Sequence, residues 1–157
     1  MASSTPHKIM LTTNEESAAR PVFDDYLATA AITPGEILAI SAGKFIPHGS
    51  ANGIAKPLRV AIESSYISDP TAVAIDHDYA ADEQVRYVMP QSGDLCYIYV
   101  KASETVVKGV TYLASDGAGA LQVIVPDATH VDGAVLAQAE EGKTVGGTRE
   151  RVKVRIL

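Results

Sequence analysis

From residue 36 onward the sequence is cut into short runs of β-branched and aliphatic residues separated by glycine, proline, asparagine and aspartate. That texture constrains the fold more than any other feature, because such runs are too short for confident helices and long enough for strands. The segment 57–63 shows the pattern well: Leu58, Val60 and Ile62 alternate with Arg59 and Glu63, which marks a strand with one buried face. Similar runs lie at 36–41, 71–75, 84–89, 95–100, 110–114, 120–125, 134–140 and 151–157. The stretch 134–140 is rich in Ala, Leu, Gln and Glu, which also favour helix, and is read here as a strand. Asn52-Gly53, Asp116-Gly117 and Asp132-Gly133 supply residues that tolerate positive φ in tight hairpin turns. About nine short strands at this spacing predict an all-β fold, a single compact barrel or sandwich.

The last run alternates Arg151, Lys153 and Arg155 with Val152, Val154 and Ile156. One face packs and the other meets water or a partner. Two placements fit: an edge strand protected by its cations, or a central strand that closes a barrel.

Before the β-rich body the pattern differs. Residues 1–33 show neither a sustained period of two nor one of 3.6, and are read as an N-terminal arm, with residues 34–157 as the domain. A helical turn is expected within 14–20, ended by Pro21. Val22, Phe23, Tyr26 and Leu27 form an apolar group in the arm, expected to dock on the chain's own core or on a neighbouring subunit.

Composition narrows the function classes. The net charge is −6, and no basic stripe interleaved with aromatics occurs in the body, so no nucleic-acid partner is expected. From Lys143 onward the balance reverses, with Arg149, Arg151, Lys153 and Arg155 against Glu150. An acidic body with a basic strand suits contact between charge-complementary surfaces, so these four cations are candidate partner contacts, a solvated strand being the plainer reading. The single cysteine, Cys96, sits in an apolar run and reads as a buried hydrophobe. No apolar stretch of membrane-spanning length occurs and the first residues lack a signal-peptide core, so a soluble, cytoplasmically made protein without a membrane partner is expected.

No catalytic pattern emerges. His7, His48, His77 and His130 are scattered, and His48-Gly-Ser50, the nearest approach of a base to a nucleophile, reads as a turn. Asp76, His77 and Asp78, with Asp82 and Glu83 nearby, form the densest group of candidate metal ligands. Neighbouring residues of a strand face opposite ways, so the group reads as a solvated acidic loop rather than a Ca²⁺ site. Lys143 follows Gly142 as in a phosphate-binding loop, but the glycine that the motif needs is Ala137. No enzyme activity and no cofactor are expected.

The order of elements resembles one family. Ile32 to Ala39 as an opening strand is followed by Tyr79 to Val85, the turn 91–95, Val106 to Leu113, the glycine-rich hairpin 115–121, Val135 to Glu141 and the terminal Arg151 to Leu157. This series is similar to the capsid decoration, or cement, proteins of tailed bacteriophages, and it covers roughly residues 33–157. The resemblance implies a small β-barrel or tulip-like domain on the capsid exterior. It also implies a trimer at threefold or quasi-threefold positions, with the major capsid protein as partner. A competing expectation is a receptor- or carbohydrate-binding β-module of a tail or baseplate, for which seven Tyr and no Trp offer few aromatic platforms.

Overall fold

The structure is a computed structural model that describes residues 8–12, 26–53, 55, 57–64, 73–125 and 134–157. Twelve strands are present among the described residues: β1 (Met10–Thr12), β2 (Leu38–Ser41), β3 (Lys44–Pro47), β4 (Val60–Ala61), β5 (Tyr87–Val88), β6 (Leu95–Val100), β7 (Thr105–Val106), β8 (Tyr112–Ser115), β9 (Leu121–Ile124), β10 (Ala137–Ala139), β11 (Lys143–Thr144) and β12 (Glu150–Ile156). The all-β expectation holds. The strands β6, β12, β10, β8 and β9 pair in that order, and β9 returns to β6 through a parallel contact at Val100 and Leu121, closing a five-stranded barrel.

The two long strands explain why this barrel forms. In β6 the side chains of Cys96, Ile98 and Val100 are fully buried, and in β12 those of Val152, Val154 and Ile156 are buried, with Val152 opposite Ile98 and Val154 opposite Cys96. The period of two read from the sequence thus becomes the inside and outside of the barrel. β12 is a central strand, flanked by β6 and β10, so of its two expected placements the barrel-closing one is correct. β10 shows why an alanine-rich stretch is a strand here: Ala137 pairs with Ile156 and Ala139 with Val154, small residues opposite large ones. A barrel this narrow needs that alternation to fill its interior without overpacking.

β6 is bonded along both sides. One edge pairs with β12 over six residues, Leu95 to Val100. On the other edge the amides of Tyr97, Tyr99 and Lys101 donate in turn to the carbonyls of Ile9, Gly35 and Leu121, at 2.7, 3.0 and 2.8 Å. Three chain segments far apart in sequence therefore complete one side of a single strand.

A second apolar cluster sits beside the barrel, built from Ala28, Ile32, Leu38, Phe45, Ala61, Tyr79, Val85 and Tyr87. Phe45 lies between Tyr26 and Tyr87, with ring centroids 5.1 and 4.9 Å away. The Tyr79 hydroxyl donates to the Ile62 carbonyl at 2.7 Å, and burial pushes its pKa up to about 12. Described pieces of the segment before residue 34 pack into the body: Ile9 belongs to the barrel core, and Ala28 and Ile32 are fully buried in the second cluster.

The expected strands 57–63 and 84–89 shorten to the two-residue strands β4 and β5, and two further local readings differ from the structure. The run 71–75 does not end as a strand, because Ala74–Asp76 is a 3-10 turn; Thr71 and Ala72 lie outside the described residues. The β2–β3 hairpin was not expected as a strand pair. It turns through Ala42 and Gly43, both at positive φ (49° and 73°), which suits the right-handed twist of the flanking strands. The Asp116-Gly117 turn expected between β8 and β9 is present, and Gly119 makes its close approach possible. With φ at +83°, a Cβ there would meet the Cβ of Pro47 at 2.8 Å. The Asp132-Gly133 turn and the helical turn at 14–20 lie outside the described residues.

Candidate functional site

The outer face of β6 and β12 carries the sequence's most conspicuous charge pattern. Their register sets Tyr99 opposite Arg151, Tyr97 opposite Lys153 and Leu95 opposite Arg155, so the cations line up beside aromatic and aliphatic neighbours. Cross-strand pairs of this kind stabilise a sheet locally.

The arginines are tied to other groups of the chain. Arg151 is the most enclosed, its side chain 8 % exposed. Its Nε donates to the Pro34 carbonyl at 3.0 Å, its Nη1 to Asp76 Oδ1 at 2.6 Å and its Nη2 to the Ile75 carbonyl. The 3-10 turn is what turns the Ile75 carbonyl and the Asp76 carboxylate to this guanidinium. Gly35 sits against the same group: its φ of +100° is left-handed, and a Cβ there would lie 3.3 Å from both Arg151 Nε and Ile9 Cδ1.

Arg149 pairs with Glu36 Oε1 at 2.5 Å, and both guanidiniums lie 4.7 Å from the centre of the Tyr99 ring. Glu36 is a buried acid whose other oxygen accepts the Thr33 amide at 3.1 Å. Burial pushes its pKa up, against the opposing pull of Arg149 and the Thr33 amide. Arg155 is held by Glu140 at 2.6 Å and the Gly93 carbonyl at 3.2 Å, and Lys143 by Glu150 at 2.7 Å. Lys153 has no carboxylate partner among the described residues. The four candidate contact cations thus divide: Arg149, Arg151 and Arg155 are neutralised within the chain, and Lys153 remains for water or another molecule.

Of the apolar group assigned to the arm, Tyr26 packs on Phe45, and the Leu27 backbone bridges Gln84 and accepts the Phe45 amide at 2.9 Å. Val22 and Phe23 lie outside the described residues.

Sequence reading missed an apolar surface. Val107, Val110 and Val125 are 51, 66 and 73 % exposed. Val110 and Val125 line one shallow depression with Tyr112 and Val123, and the turn 107–111 holds Val107 next to it through the Val110 and Thr111 amides. The signal was there in part: three valines beside a Lys-Gly turn and a proline are too many for a purely solvated hairpin end.

The candidate chemistry resolves differently. The partner of His48 is not Ser50 but Ser115, distant in sequence and fully buried, whose Oγ lies 2.8 Å from His48 Nδ1. Among the described residues no three or more of His, Cys, Asp and Glu come together as a metal site. Cys96 is fully buried, 3.3 Å from the Met10 sulfur, and burial followed by the Asp94 charge pushes its thiol up to about 12. No family model matches the sequence, and no curated protein matches it.

Proposed function

We propose that the protein is a non-enzymatic structural component of a tailed-bacteriophage virion that binds the capsid exterior and cements neighbouring capsomers, as a trimer at threefold or quasi-threefold positions. The ordered resemblance of residues 33–157 to capsid decoration proteins supplies the identity of the partner, the major capsid protein. The structural observation that carries the reading is the pairing of a tightly closed barrel with the exposed valine surface of Val107, Val110 and Val125. Clustered exposed apolar side chains on a small domain mark a protein-contact surface. A cement protein has to hold two neighbours without deforming, and many modest contacts repeated over a shell supply the holding strength.

The test adds purified protein to shells that lack it and follows co-sedimentation and the temperature at which the shells open. Saturable binding with a raised opening temperature is expected, together with a trimer mass on the shell. Val110→Glu with Val125→Glu should lose binding and keep the circular-dichroism spectrum. Absence of binding by the unaltered protein sinks the reading, and a positive glycan-array signal in its place would support a carbohydrate-binding module.

A further inference from the structure

The sequence holds one Asn-Gly pair, Asn52-Gly53, and the fold favours both members. Asn52 sits at a φ of +52°, a left-handed conformation in which asparagine is among the best tolerated side chains. At Gly53 a Cβ would lie 2.6 Å from the Cβ of Ser50 and 3.0 Å from its carbonyl oxygen, so a larger residue would displace Ser50. Asparagine is a thermolabile residue, and a following glycine, with no side chain, leaves its carboxamide carbon open to the next backbone nitrogen. Packing has thus placed the dipeptide most prone to this attack in a turn, with Asn52 exposed.

The reactive groups are nonetheless held. The Gly53 amide donates to the Ser50 carbonyl at 3.0 Å, and the Asn52 amide donates to the Ser115 carbonyl at 2.8 Å. The Asn52 carboxamide oxygen accepts from Gln122 Nε2 at 3.0 Å. Ser115 ends β8 and Gln122 lies in β9, so two of these three partners belong to one hairpin. Ala51 bridges Asp116, and the Gly119 amide donates to the His48 carbonyl at 3.2 Å. Residues 48–52 are therefore docked along the β8–β9 hairpin, and that docking fixes the side chain that would have to move.

We infer that Asn52 is a modification site gated by the fold, inert while residues 48–52 are docked on the hairpin and converted to aspartate and isoaspartate once they are released. The chemistry needs only water. A base takes the Gly53 amide proton, which Ser50 holds in the docked state, and the nitrogen bonds to Asn52 Cγ. The Cγ–Nδ2 bond breaks, and Nδ2 takes up a proton and leaves as ammonia. Water then opens the cyclic imide at either carbonyl. Isoaspartate adds a methylene to the backbone, and both products add a negative charge beside the position that bridges Asp116. Each change opposes docking again, so a single release leaves a permanent mark. The inference does not depend on the capsid reading.

The test incubates the full chain at mildly alkaline pH, folded in buffer and unfolded in guanidinium chloride, and measures aspartate and isoaspartate at position 52 by peptide mapping with mass spectrometry. The folded chain is expected to convert at least about tenfold more slowly, since reaction waits for local opening. Gln122→Ala removes the bond to the carboxamide and is expected to speed conversion of the folded chain about threefold, the worth of one exposed hydrogen bond, with the rate in denaturant unchanged. Gly117→Ala is expected to speed it further, because a Cβ at that φ of +82° would meet the Ala51 nitrogen at 2.8 Å. Should Gly117→Ala not fold, the Gln122→Ala comparison decides. Conversion of the folded chain as fast as in denaturant, no conversion in denaturant, or a folded Gln122→Ala rate equal to wild type would each overturn the assignment.

Discussion

Replacing Arg151 by Met tests how far one guanidinium holds the barrel to its surroundings. The thioether keeps most of the apolar packing and removes the charge, so the loss reports the polar contacts. Asp76 is half exposed and regains water when its partner goes, so the carboxylate contributes little. The Pro34 and Ile75 carbonyls are different, since each loses a bond to a charged donor, worth about 1.5–3 kcal/mol. The Tyr99 ring also loses one of its two cations. The desolvation that Arg151 suffers in the native state offsets part of these terms, which places the net cost at about 3–5 kcal/mol. That corresponds to a melting temperature lower by roughly 6–20 °C for a chain of this size. Urea unfolding followed by circular dichroism and tyrosine fluorescence measures it directly, the chain having seven Tyr and no Trp. Arg151→Lys, with one compact ammonium for three acceptors, should recover less than half of the loss. Lys153→Met, one turn of the pleat away and without a carboxylate partner among the described residues, should stay within about 0.5 kcal/mol of wild type. If Arg151→Met falls within that same margin, the argument that Arg151 ties the turn, the 3-10 segment and β6 together is wrong.

Three further outcomes are expected. Cys96 should resist alkylation at pH 8 in the folded protein and react readily in denaturant, because its thiol is fully buried and its pKa is raised to about 12; fast labelling of the native chain would contradict the packing against Met10. Glu36 has a folded pKa above its ordinary value, so its contribution to stability is fully present below the unfolded carboxylate range and is lost as pH rises through the folded pKa. Glu36→Gln should therefore gain stability relative to wild type between pH 4 and pH 7 in paired urea titrations, and a gain on acidification instead would count against burial as the dominant cause. Ala42 occupies a left-handed conformation in which asparagine, whose short polar side chain hydrogen-bonds the local backbone, is better tolerated than alanine, so Ala42→Asn should stabilise the β2–β3 hairpin by about 0.5–1 kcal/mol, measured as a shift in the urea midpoint at unchanged slope.

Much of the barrel was legible because its two longest strands carry an uninterrupted alternation: Cys96, Ile98 and Val100 in one, Val152, Val154 and Ile156 in the other. Local pattern sufficed where local pattern decides burial. It failed at Ala74–Asp76, whose apolar residues look like a strand but whose backbone is bent to serve Arg151 from a different part of the chain. It failed at Lys44–Pro47 for another reason, since a proline and a lysine with one buried Phe45 carry little signature until the strand is paired. The cationic face shows the same division. Its residues were identifiable from sequence, but the acids that answer them, Glu36, Asp76 and Glu140, come from segments whose proximity is a product of the fold. The partnership of His48 with Ser115 is of that kind too, for no spacing rule connects residues so far apart.

The three carbonyls that line one edge of β6, from Ile9, Gly35 and Leu121, have a bearing on the order in which the chain acquires its shape. Each lies far from β6 along the sequence, and the opposite edge waits for β12, which is translated after every other described strand. Loop closure must be completed several times before any of these contacts rewards it, which makes folding slow for the chain's size. On the ribosome β6 meets chain already made, Ile9 and Gly35, along one edge, but its other edge stays open until Glu150–Ile156 arrives. During that interval it is a sticky, half-built strand and the point where a growing chain is most open to mispairing with a neighbour or capture by a chaperone.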